Sequence, residues 1–126
     1  MPRFDPATVT ELNRVGLLAE LPGEELSRLA SRMLREDVAT GDAPVVEGDE
    51  GDRFYVVLRG MFAVKQLRNV EPKRFLRPGD YFGEVALAMD IPRTASVRAL
   101  TPATVASCDR ETFDEFVRPL FADDAA

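Results

Sequence analysis

Apolar residues keep helical spacing over one long stretch of the chain. Leu26, Leu29, Ala30, Met33 and Leu34 recur at i, i+3, i+4, i+7 and i+8, which predicts an amphipathic helix. Its other face carries Glu24, Glu25, Arg28, Arg32 and Arg35, a mixed-charge surface suited to water, and Pro22-Gly23 marks its start. A shorter helix is expected upstream, with Asp5 as N-cap and Pro6 at the first helical position. Val9, Leu12 and Val15 give it an apolar side, and Gly16 ends or bends it. From about Val38 to Asp109 the pattern changes. Gly41-Asp42, Gly48-Asp49-Glu50-Gly51-Asp52, Gly60, Pro72, Pro78-Gly79-Asp80 and Thr101-Pro102 punctuate the chain as turns. Between them lie the runs Phe54–Arg59, Met61–Leu67, Thr94–Leu100 and Thr104–Asp109, rich in the Val, Phe and Thr that strands favour. Many short strands at regular spacing predict an antiparallel β-sandwich or jelly roll. Asp109 is a good N-cap for a last helix, in which Phe113, Phe116, Val117 and Leu120 share a face. Pro119 is expected to stop or kink that helix near Arg118.

The expected fold is thus α+β, mainly β, with the sandwich flanked by N-terminal helices and one C-terminal helix. Residues 1–36 form the helical lead-in, 37–109 the jelly roll and 110–126 the C-terminal helix. A chain of 126 residues makes one domain, and its 45% hydrophobic content supplies a core. The formal charge of −6 argues against non-specific nucleic-acid binding. An anion bound here needs a local positive site, which raises the interest of each arginine. Histidine is absent and cysteine occurs once, at Cys108. That composition excludes Ser-His and Cys-His catalysis, histidine-ligated metal or haem, intrachain disulfides and four-cysteine clusters. Cys108 reads as a small strand residue. Asp49-Glu50-Gly51-Asp52 lacks the alternating ligands of a calcium loop and reads as a turn. Apolar runs such as Val85–Met89 stop at five residues, against the roughly 18 of a membrane span, and the N-terminus has no signal-peptide core. The expectation is a cytoplasmic protein without membrane insertion.

Candidate chemistry concentrates in Phe82–Val97. Gly83 lets backbone approach a ligand closely. A short helix starting at Glu84 would aim free N–H groups at an anion. Arg93 offers a fork of donors to phosphate oxygens, and Glu84 is suited to accept hydrogen bonds from sugar hydroxyls. Pro92 fixes the chain before Arg93. A pleat beginning there puts Arg93, Ala95, Val97 and Ala99 on one face, and the small Ala95 leaves room for a ligand.

These residues resemble the cyclic nucleotide-binding domain family. Phe82-Gly83-Glu84-Val85-Ala86-Leu87 followed by Pro92-Arg93-Thr94-Ala95-Ser96-Val97 is similar to its phosphate-binding cassette, with eight residues between Glu84 and Arg93. Glu47–Gly60 resembles its turn–strand–turn segment, Arg77–Phe82 the approach to the cassette, and Leu17–Met33 its helical lead-in, so the likeness covers roughly residues 15–119. The resemblance implies that Arg93 pairs with the cyclic phosphate and Glu84 accepts the ribose 2′-hydroxyl. It also implies that Gly83, Val85 and Ala86 line phosphate and ribose through backbone groups, and that Thr94 and Ala95 close over the phosphate. Thr94 stands where members accepting cGMP often carry a hydroxyl. The implied function is a non-enzymatic sensor binding cAMP or cGMP, without metal, haem or iron–sulfur cluster. It would signal through helix movement to an effector domain or protein outside this chain. The family's lid helix, expected after Pro119, is truncated or absent, which leaves the base unassigned. The base preference, the effector and the oligomeric state stay open. The alternative is a jelly-roll interaction or oligomerisation module that binds no nucleotide.

Overall fold

The computed structural model describes residues 5–122. Its centre is the antiparallel pair β2 (Arg53–Arg59) and β7 (Ala103–Asp109), in register from Arg53↔Asp109 to Val57↔Val105. β1 (Leu34–Val38) adds to the free side of β7 and β5 (Tyr81–Phe82) to that of β2, giving a sheet of order β1-β7-β2-β5. A second sheet, of order β4-β3-β6, contains β3 (Phe62–Lys65), β4 (Arg74–Leu76) and β6 (Ser96–Ala99). Successive residues of a strand point to opposite faces, so β2 and β7 serve two cores at once. Tyr55, Val57 and Val105 pack between the sheets with Phe62, Val64, Leu76, Phe82, Val97 and Ala99. Phe54, Val56, Ala106 and Cys108 pack on the other side against Leu12, Leu18, Leu26, Leu29 and Phe113. Because both faces are covered, these two strands read as near-continuous apolar runs and not as alternating ones. Cys108 is fully buried, and burial pushes its thiol up to about 12, far from a reactive thiolate.

The helical layer departs from the periodicity in several places. The first helix, α1 (Val9–Leu12), starts three residues beyond the expected Pro6. Thr8 and Glu11 form a capping box: the Thr8 side chain accepts from the Glu11 N–H, and Glu11 Oε1 accepts from the Thr8 N–H at 3.0 Å. Asp5 and Pro6 instead pair with the start of β1, through Arg35 N to Asp5 O (2.8 Å) and a Pro6↔Leu34 bridge. Leu12 and Val15 are buried as expected, whereas Val9 is exposed. The second helix, α2 (Gly23–Arg32), opens at Pro22 as read but stops before Leu34 and Arg35. Those two belong to β1, because five consecutive pairings with β7 outweigh a helical preference that no local signal terminates. Leu34 consequently lies exposed. β4 and β5, of three and two residues, are too short to carry a period and were not legible as strands.

The C-terminal helix runs through Pro119. Asp109 caps α4 (Arg110–Thr112), its carboxylate accepting from Thr112 N at 2.9 Å. A π segment (Phe113–Val117) follows, then α5 (Arg118–Ala122). Proline lacks an N–H and its ring opposes the carbonyl four residues back. The wider π turn, closed by Arg118 N–H to Phe113 O, moves that carbonyl and places Pro119 in the first turn of a new α segment, where no donor is needed. Among the described residues no helix is long and apolar enough to cross a membrane.

Hydrogen bonds from Thr112 hold the Asp109 carboxyl below its ordinary value of 3.8. Its contribution is therefore fully present above pH 3.8 and is lost as pH falls through the lower folded value. Asp109→Ala should cost about 1 kcal/mol in urea unfolding at pH 7, and the difference from wild type should shrink as the pH drops below 3.8.

Candidate functional site

Phe82 ends β5 stacked on Tyr55, with ring centroids 4.8 Å apart and planes within 5°. The next residue must turn sharply under crowding. Gly83 does so at φ +90°, and a Cβ there would sit 2.9 Å from Arg53 O and 3.0 Å from Arg93 Nη1. Gly83 is the N-cap of α3 (Glu84–Met89), the short helix expected from the sequence, and no side chain caps it. Its first N–H groups are therefore available to another acceptor.

Arg93 is only 7% exposed. Nη1 donates to Gly83 O at 2.9 Å and Nη2 to Arg53 O at 2.8 Å. Its backbone is held as tightly, by Arg93 N to Asp49 O (2.8 Å) and Gly48 N to Arg93 O (2.9 Å). The acidic turn read as a bare turn thus forms the wall behind this arginine. Gly51 presses so closely that a Cβ would lie 2.5 Å from Arg93 Cζ and Nε. Arg110 Nη2 holds that turn in turn, donating to Gly51 O at 3.2 Å. Among the described residues none of the ion pairs involves Arg93. Burial pulls its pKa below the usual arginine value, opposed by Tyr55, Asp52 and Glu84, with Arg110 adding to the lowering. Guanidinium still carries its charge at any physiological pH. The result is a buried cation whose hydrogen-bond partners are neutral carbonyls.

It lines a pocket of about 290 Å³. All seven residues singled out from the sequence, Gly83, Glu84, Val85, Ala86, Arg93, Thr94 and Ala95, line this one pocket. Glu84 is half-buried there, Thr94 is exposed, and Val85 stands at the surface. Val45, Val64, Phe82 and Val97 supply apolar walls, and Lys73 and Arg74 line it from the strand β4 side. Sequence reading missed those two cations, together with Gly51 and the Arg53 carbonyl. Two adjacent basic residues after Pro72 in an acidic chain were the one available signal, and nothing in their spacing tied them to Arg93. The site can therefore take a small anion with an apolar body and a few hydroxyls.

A family model described as the cyclic nucleotide-binding domain matches residues 35–119. Over 109 residues, 86% of this chain, it is 37% identical to a cAMP-dependent protein kinase regulatory subunit from Yarrowia lipolytica and 39% identical to one from Debaryomyces hansenii. It spans 29% and 24% of those proteins. Among solved structures it is similar to the regulatory domain of Toxoplasma gondii PKA, a co-crystal structure with cAMP, at a TM-score of 0.82 and 30% identity, covering 93% of this chain and 48% of that one.

Gly51→Ala tests the wall behind Arg93. Overpacking against a guanidinium pinned by two carbonyls should cost about 1–3 kcal/mol in urea unfolding. It should also shift the Arg93 Nε–Hε resonance in ¹⁵N spectra. An unmoved resonance and unchanged stability would show that Arg93 is not confined by this contact.

Proposed function

The chain belongs to the cyclic nucleotide-binding domain family, and on that premise we propose that it is a regulatory sensor domain whose ligand is cAMP or cGMP. The observation that carries this reading is Arg93, a guanidinium 7% exposed, without an ion-pair partner among the described residues, in the wall of a ligand-sized pocket. A cyclic phosphodiester carries one negative charge. Paired with Arg93 it forms charge-assisted hydrogen bonds worth about 1.5–3 kcal/mol. The uncapped N–H groups at Val85 and Ala86 share the phosphate oxygens, and Thr94 and Ala95 close the pocket beside them. Glu84 lines the same pocket one residue from the Gly83 carbonyl that anchors Arg93. It acts as acceptor for the ribose 2′-hydroxyl, a task that suits a carboxylate, which has only acceptors. Lys73 and Arg74 make the local potential positive in a chain of net charge −6, which draws an anion to this face. The chain performs no chemistry on the nucleotide in this reading. It passes binding to an effector outside the chain, as a regulatory subunit would.

Isothermal titration of ligand-free protein with cAMP and with cGMP checks the proposal. Wild type should give saturable heat with at least one nucleotide, and Arg93→Ala should bind it about ten-fold or more weakly. Absence of heat with both nucleotides, from folded protein, would overturn the reading. Formation of AMP during incubation with cAMP would overturn the non-enzymatic assignment.

A further inference from the structure

The hairpin formed by the end of β3 and all of β4 has a composition unlike the rest of the chain. Residues 65–77 carry five cations, Lys65, Arg68, Lys73, Arg74 and Arg77, against the single carboxylate of Glu71, in a chain of net charge −6. Among the described residues none of these five makes an ion pair, whereas Arg28, Arg32, Arg35, Arg110 and Arg118 each face a carboxylate. The same stretch holds Leu67 and Val70, 83% and 90% exposed, which are the two most exposed large hydrophobic residues among those described.

The tip that carries them is built. Asn69 N donates to Gln66 O at 3.0 Å and Asn69 Nδ2 to Gln66 Oε1 at 3.3 Å, closing a turn with Leu67 and Arg68 at its corner. From the body of the domain, Glu47 Oε1 accepts from Leu67 N at 2.9 Å and Thr94 O from Gln66 Nε2 at 3.1 Å. The backbone is thus anchored while the side chains of Leu67, Arg68 and Val70 stand in water. The outer face of the second sheet continues this surface. Phe62 and Val64 join the core between the sheets, so Ala63 and Lys65 face the other way. Phe75 pairs with Ala63 across the ladder and is exposed.

Cations and prolines also protect a sheet edge from unwanted pairing. β4 is such an edge, three residues long, between Pro72 and Pro78. Edge protection accounts for Lys73 and Arg74 and leaves an added peptide strand little to pair with. It gives no reason for Leu67 and Val70. An acidic polymer would satisfy the cations and leave the aliphatic pair in water. A surface of anionic lipid takes both, with headgroups against the cations and the boundary beneath them against the apolar side chains.

We propose that hairpin 65–77 docks this domain onto an anionic lipid surface, with Leu67 and Val70 seated at the headgroup boundary and Lys65, Arg68 and Arg77 among the headgroups. The attachment is from one side and needs no spanning segment. The remainder of the chain is acidic and is repelled by such a surface, which orients the domain hairpin-first.

Flotation with vesicles tests this. Wild type should float with phosphatidylcholine vesicles containing about 30% phosphatidylserine and not with phosphatidylcholine alone, and binding should weaken as salt rises. Lys65→Ala/Arg68→Ala should weaken binding about ten-fold or more, and Leu67→Ser/Val70→Ser by a similar factor. Lys73 and Arg74 stay intact because they line the nucleotide pocket. Urea unfolding of both variants should match wild type, since the side chains removed are exposed. The chain has no tryptophan, so Leu67→Trp reports the tip alone, and its emission should move to the blue on the anionic vesicles. Absence of flotation, equal flotation with phosphatidylcholine alone, undiminished binding by the serine variant or an unmoved Leu67→Trp emission each overturns the proposal. Dimerisation lost in the serine variant, without flotation, would give the surface to a second copy of the chain. Binding to polyglutamate without flotation would give it to an acidic peptide, and either result also overturns the proposal.

Discussion

Burying a guanidinium that cannot lose its proton obliges the fold to surround it with acceptors. Arg93 meets that demand with the carbonyls of Gly83 and Arg53, and much of the architecture follows. Arg53 starts β2, and the Gly83 turn lies beside it because β5 pairs with β2 at Tyr55↔Phe82. Gly51 has no side chain because Arg93 Cζ occupies the space. The Asp49 carbonyl fixes the Arg93 backbone, so that residues 48–53 and the Gly83 turn converge on one residue. Burying a charge among neutral dipoles is costly, and truncating one of them leaves the cation worse off.

The position of this cluster depends on a pair of strands that serve two cores. The inner face of β2 and β7 joins the second sheet, and their outer face joins the helices. Movement in the helical layer is therefore in mechanical contact with the sheet that presents Arg53 and the Gly83 turn. The same helical layer reaches the cassette a second time, at the far end of α3. Glu115 also pairs with both Arg28 and Arg32 of α2, whose guanidinia lie over the Phe116 ring at 5.3 Å. These exposed ion pairs contribute little stability individually, but they tie the π segment to α2 at its solvent side.

Much of the sandwich could be read before the structure. Runs such as Phe54–Arg59 and Thr104–Asp109 match β2 and β7 to within a residue, because residues buried on both faces leave an unbroken apolar signal. The cassette was equally plain: Gly83, Glu84 and Arg93 lie within one local segment, and each has a chemistry that few other residues share. Failures fell where local pattern and long-range pairing disagree. Leu34 continues a helical period but was claimed by β1, and a capping box displaced the expected start at Pro6. Pro119 broke a rule about helices that the π segment circumvents.

From residue order alone, then, came the sheet class, the central strands and the residues that line the pocket around Arg93, since each is encoded by neighbours in the chain. Tertiary structure decided what surrounds that group. The Arg53 carbonyl reaches Arg93 across 40 residues, and Arg118 reaches Leu87 across 31. Contacts at such separations leave no period, spacing or composition to read. They exist only once the strands have paired and the helices have packed, because hydrogen bonding to a backbone carbonyl asks for a position in space and not for a particular side chain.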